Sequence, residues 1–105
     1  MIQSPNDASL SLPLPDEDAL DDYIEFVIDN GEDARDRYMT VIVDDQGHAY
    51  TLLAGLDRKN VYALLDSFEG RPKSRSGRRI HWNDLPDACQ RLMWQEVLNI
   101  NSQYE

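Results

Sequence analysis

The sequence predicts an α+β domain in which a small antiparallel sheet is packed by three helices. Three observations carry that expectation. Arg37 to Val43 is dense in β-branched and aromatic residues and is followed by the turn signal Asp44-Asp45-Gln46-Gly47 and a second apolar run, His48 to Leu53. Leu20, Tyr23, Ile24 and Val27 recur at helical spacing ahead of this hairpin, with Ile28 on the flank. A long helical stripe, Leu85, Cys89, Leu92, Met93, Val97 and Ile100, follows it. The predicted order is helix, strand, strand, helix, candidate strand, helix.

At 105 residues the chain makes one domain, since two would each be too small to bury a useful core. We place an extended lead-in over residues 1–15 and the domain over 16–105. Three of the five prolines, Pro5, Pro13 and Pro15, fall in that lead-in, removing amide donors and restricting the residues before them. Leu10, Leu12 and Leu14 alternate there with Ser11 and Pro13, a pattern suited to a groove or an edge strand.

Asp16 to Asn30 reads as the first helix, started by Pro15 or Asp16 and ended by Gly31. Asp16 to Asp36 holds ten of the twenty acidic residues against a single Arg35. On a continuous helix Asp18, Asp21, Asp22, Glu25 and Asp29 gather opposite the apolar stripe. Leu56 to Phe68 reads as the second helix, capped by Asp57, with Val61, Leu64, Leu65 and Phe68 on one face and Gly70 and Pro72 ending it. Ile80-His81-Trp82 is the candidate third strand. The last helix is capped by Asn83 or Asp84 and runs to about Ile100; its stripe leaves Trp94 and Leu98 as an i, i+4 pair on the far side. The expected core includes Tyr38, Val41, Val43, Leu53, Val61, Leu65, Phe68, Leu92 and Val97.

Charge is distributed unevenly. The whole chain is at −10, residues 1–70 at −12 and residues 71–105 at +2. Arg71 to Arg79 (RPKSRSGRR) holds five of the ten basic residues, Arg71, Lys73, Arg75, Arg78 and Arg79, and reads as an exposed loop dispensable for folding. The negative total argues against unaided binding to nucleic acid or anionic membrane and for a basic partner. No apolar run approaches the ~18 residues of a membrane span, no basic-then-apolar leader opens the chain, and one cysteine excludes an intrachain disulfide. A cytoplasmic address is the expectation.

Motifs of catalysis are absent. DEDALDDYIEFV lacks the central glycine of an EF-hand calcium loop, and no phosphate loop, dinucleotide fingerprint, CxxC or HExxH occurs. His48 near Asp44 and Asp45 is the one acid–base pair in sequence, without a nucleophile; His81 reads as packing or a backbone contact, and Cys89 as a small core residue. We expect no cofactor, no metal and no enzymatic activity.

In composition the chain resembles the small acidic inhibitors of nucleic-acid-acting machinery: phage anti-CRISPR and anti-restriction proteins, and immunity proteins that neutralise nucleases. The resemblance implies an inhibitor or regulator that engages a nuclease, a CRISPR effector or another nucleic-acid-binding protein, in part by nucleic-acid mimicry. Asp18, Asp21, Asp22, Glu25 and Asp29 would supply the charge, and Trp94 and Leu98 an apolar contact or a homodimer seam. The alternative is a nucleic-acid-binding accessory that uses the Arg71–Arg79 loop.

Overall fold

A computed structural model describes residues 14–73 and 76–102 of the chain. Most of the expected lead-in (Pro5, Leu10, Leu12 and Pro13 with it) and Arg75 lie outside the described residues. The elements in order are α1 (Glu17–Tyr23), β1 (Ile24–Asp29), β2 (Tyr38–Val43), β3 (Ala49–Leu56), β4 (Tyr62–Glu69), β5 (Arg78–Ile80), a 3-10 turn (Trp82–Asp84) and α2 (Asp87–Ser102). The five strands form one sheet in the order β4-β3-β2-β1-β5, antiparallel throughout. The α+β class stands; the three-helix arrangement does not. Of the three predicted helices, the first is helix only over Glu17–Tyr23 and strand over Ile24–Asp29, and the second is a turn followed by strand.

The first correction is at Ile24. Asp16 caps α1, its carboxylate accepting from the Ala19 amide at 2.9 Å, but the helix stops after Tyr23. Ile24-Glu25-Phe26-Val27-Ile28 then continues as β1, paired to β2 from Ile24↔Ile42 to Asp29↔Tyr38 with a bulge between Ile24 and Phe26. The physical reason lies in β2. Its Met39 to Ile42 are buried on both faces, so it must be a central strand, and a hairpin to β3 satisfies only one of its edges. A β-branched, aromatic segment supplies the other edge better than a helix can.

The second correction is at Tyr62. Asp57 does cap amides, but those of a hairpin turn: its carboxylate accepts from Lys59 at 2.8 Å and Val61 at 3.2 Å. Asn60 takes the left-handed conformation (φ 58°), which suits its short polar side chain. The same Asx chemistry serves a helix start and a tight turn. β4 then pairs back along β3, with Leu65 as the extra residue of a bulge opposite Leu53 and Ala54. Val61 and Phe68, expected in the core, are 57% and 41% exposed. Val43, Leu53, Leu65 and Leu92 are half-buried, and Tyr38, Val41 and Val97 are buried.

The hairpin between β2 and β3 turns where the sequence places it. Gly47 sits at φ 83°. Asp44, buried, accepts from the Gln46 and His48 amides at 2.9 and 2.8 Å.

One face of the sheet carries the main core. Val27, Ile42, Leu52 and Ala54 meet Cys89, Met93, Val97 and Ile100 of α2, with Trp82 and Leu85 at the helix entry. Thr40 lies in this layer and donates to the Met93 sulfur at 2.9 Å. Ahead of α2, the His81 ring accepts from the Asn83 amide while the Asp84 carboxylate accepts from the His81 amide. Asp84 therefore closes a 3-10 turn and does not cap α2.

The second face carries Phe26, Ile28, Met39 and Val41, with Leu53 beside them. No described helix covers it; backbone of the connection from β4 to β5 lies against it. The Thr51 hydroxyl donates to the Gly70 carbonyl at 2.8 Å. A Cβ on Gly77 would stand 2.5 Å from Ile28 Cγ2. The connection from β4 to β5, which join opposite edges of the sheet, thus has both described ends on this face. It is the Arg-rich segment that the sequence marks as a dispensable loop.

Candidate functional site

The five carboxylates expected on one helix face divide into two groups. Asp18, Asp21 and Asp22 belong to α1, together with Glu17. At about 100° per residue these four span an arc of roughly 140°, while Leu20 and Tyr23 point the other way, toward the core. All four are exposed apart from the apolar arc, and among the described residues none of them forms a salt bridge. Like charges so arranged repel, and exposure to water is what makes the arrangement tolerable.

Glu25 and Asp29 leave the helix and are neutralised. Arg71 grips Glu25 with two hydrogen bonds, Nε to Oε2 at 2.7 Å and Nη2 to Oε1 at 2.6 Å. That is the planar fork that guanidinium and carboxylate match. Asp29 receives Arg37 at 3.2 Å, the Gly31 amide at 2.8 Å and the more distant Arg78 at 3.9 Å. Burial pushes the Asp29 carboxyl up, but the Arg37 hydrogen bond, the Gly31 amide and the charges of Arg37 and Arg78 together outweigh it and hold the pKa below its ordinary 3.8. The Arg79 guanidinium lies over the Phe26 ring at 5.6 Å from its centre. Lys73 is exposed.

Trp94 is half-buried. It meets the Tyr23 ring edge-on, centroids 5.8 Å apart and planes at 68°, so α1 lies against the side of α2 that the sequence leaves open. The Tyr23 hydroxyl donates to Asp45, which raises its pKa above 10.0, with burial and the charges of Asp45 and Asp22 adding to the effect. The Asp45 amide in turn donates to Asn101 at 2.8 Å. Of the expected apolar pair only Leu98 is left exposed, at 41%.

Sequence reasoning missed the cleft beside α1. It measures about 700 Å³ and lies between α1 and the β5–Trp82 segment, over the end of β1. Leu20, Ile24, Phe26 and Ile80 contribute apolar lining, Glu17 and Asp21 line it from α1, and Arg79 and His81 line it from the β5 side. Its only sequence signal is the position of Pro15 and Asp16 at the mouth; the opposing wall comes from residues some sixty positions away.

Asp44 serves its own turn, His48 Nδ1 lies 3.6 Å from its carboxylate with most of the ring exposed, and burial pushes the Cys89 thiol up to about 11. Among the described residues no three His, Cys, Asp or Glu side chains are placed to hold a metal ion, and no helix is long and apolar enough to cross a membrane. No protein-family model, curated protein or solved structure matches the chain.

Proposed function

We propose that the protein is a small acidic inhibitor or regulator that binds a basic, nucleic-acid-acting protein and is not an enzyme. The observation that carries the reading is the partition of charge. The fold neutralises Glu25 and Asp29 with its own arginines yet leaves Glu17, Asp18, Asp21 and Asp22 together on one short exposed helix. A row of carboxylates without interspersed lysine is a surface that a phosphate-binding protein can accept in place of nucleic acid. Arg71 and Arg78, on which a direct nucleic-acid contact would draw, stand against Glu25 and Asp29, and no observation favours that second reading. Leu98 is the exposed apolar group nearest in role to the expected contact pair.

The test is capture of a partner, identified by mass spectrometry, by wild-type protein and by the variant with Asp18→Lys and Asp22→Lys. The partner should be a nucleic-acid-binding protein displaced by duplex DNA. The variant should associate roughly tenfold or more slowly, with a flatter salt dependence, because exposed charges act mainly on the on-rate. Unchanged capture by a folded variant, or a partner indifferent to DNA, defeats the reading.

A further inference from the structure

We infer that the cleft between α1 and β5 receives an arginine or lysine side chain, with its flanking backbone, from the basic partner; this rests on the proposed function and names the contact. The cleft's volume, about 700 Å³, is in the range of ligand sites, and it is open to solvent along one side. Its chemistry is divided in a way that fits one class of occupant. Leu20, Ile24 and Ile80 are half-buried and offer apolar surface to an aliphatic stem. Glu17 and Asp21, one turn apart on α1, line the cleft beside that surface. No salt bridge within the described chain occupies either carboxylate. Across the cleft the Arg79 guanidinium lies over the Phe26 ring, 5.6 Å from its centre, where its N–H groups can meet the carbonyls of a bound main chain.

The helix itself separates this site from the rest of the acidic surface. On an ideal helix Glu17, Leu20 and Asp21 fall on neighbouring faces, whereas Asp18 and Asp22 lie about 100° further round, away from the cleft. The observed lining agrees: it includes Glu17, Leu20 and Asp21 and neither Asp18 nor Asp22. Long-range attraction therefore belongs to the outer arc and side-chain recognition to the inner one. An anionic or purely apolar segment would leave the two carboxylates unmatched, which sets the sign of the occupant.

The experiment is an NMR titration of the full-length protein with a capped leucine–arginine–leucine peptide, with leucine–glutamate–leucine as the control. The arginine peptide should shift the Ile24 and Ile80 amides and the Trp82 indole in a saturable way, and the glutamate peptide should not. Glu17→Gln combined with Asp21→Asn should weaken the arginine peptide by roughly three- to tenfold, the effect of one or two exposed ion pairs. Asp18→Lys with Asp22→Lys should leave the same cleft resonances shifting. Equal binding of both peptides, shifts confined to Asp18 and Asp22, or no saturable shift in the cleft overturns the inference. If that happens while the Asp18, Asp22 variant still loses the captured partner, the proposed function stands without the cleft. If instead the peptide binds but partner capture ignores Asp18 and Asp22, the proposed function falls and the cleft remains.

Discussion

Arg71, just beyond the end of β4, holds the carboxylate of Glu25 on β1 in a two-bond fork at 2.7 and 2.6 Å. The two residues are 46 positions apart in sequence, and β4, which Arg71 follows, is separated from β1 by β3 and β2 in the sheet. Their contact ties the Arg-rich connection to the second face, beside the backbone and the Arg79 guanidinium that also lie on it. Arg71→Ala and Glu25→Ala should each lower the melting temperature, and the double variant should lose little more than the larger single loss. Exchanging the two charges should restore part of it. In 1 M salt, where the screening length falls to about 3 Å, the differences should shrink. Strictly additive losses would show that the two side chains act separately.

Asp29 gives the fold an acid sensitivity whose sign follows from its neighbours. Arg37, the Gly31 amide and Arg78 hold its folded-state pKa below 3.8. The stabilisation is therefore complete above that value and is lost as the pH falls through the lower folded-state value. Melting temperature should drop below pH 4 in the wild type, and Asp29→Asn should flatten that drop while lowering stability at neutral pH. A wild type and variant that lose stability in parallel on acidification would count against it.

Trp94 and Tyr23 join the two helices. Trp94→Ala should cost on the order of 2 kcal/mol by urea denaturation, below the value for a fully buried aromatic because the ring is only partly buried. Leu98→Ala, on the exposed side, should cost less than about 0.5 kcal/mol. A double-mutant cycle between Tyr23 and Trp94 should return about 1 kcal/mol for the edge-on pair. Sedimentation should show the same oligomeric state for wild type and Trp94→Ala; dissociation in the variant would make Trp94 a subunit contact.

Tyr23 reports the alkaline side. Its hydroxyl is bonded to Asp45 and its pKa lies above 10.0. Protons are thus held more tightly in the folded state, and stability falls as the pH rises past 10 toward that raised value. Tyr23→Phe should reduce this dependence and lower stability below pH 10. An unchanged alkaline limb would place the titration on Tyr38 or Cys89, whose pKa values burial also raises.

Gly55 marks where a loop lies directly on the sheet. A Cβ there would collide with the Arg35 carbonyl oxygen and come within 3.1 Å of Leu65 Cδ1. Gly55→Ala should destabilise by about 2 kcal/mol, since the neighbour is backbone and cannot rotate away. Gly31→Ala, with open space around its Cβ but φ at 101°, should cost about 1 kcal/mol through backbone strain alone. A neutral Gly55→Ala would mean that the 31–36 loop yields easily.

The sequence by itself determined the α+β class, the β2–β3 hairpin with its turn at Asp44–Gly47, the burial of Cys89, Met93 and Val97 along the last helix, and an acidic helix beginning at Asp16. Each of these is set by neighbours a few residues away: an Asx cap, a glycine at positive φ, a 3.6-residue stripe. Tertiary structure decided what Ile24 to Asn30 and Tyr62 to Glu69 became. Leu20, Tyr23, Ile24 and Val27, like Val61, Leu64, Leu65 and Phe68, satisfy helical spacing, and a bulge in each of β1 and β4 hides the alternation that would have marked a strand. What settled them was the demand of β2 and β3 for hydrogen-bonding partners on their remaining edges, which is a contact between distant segments and leaves no local trace. The same demand moved Glu25 and Asp29 off the helix and onto the sheet, where Arg71, Arg37 and Arg78 meet them. Composition could count the carboxylates, but only the pairing of the strands decided which of them remain on the exposed helix with no described cation paired to them.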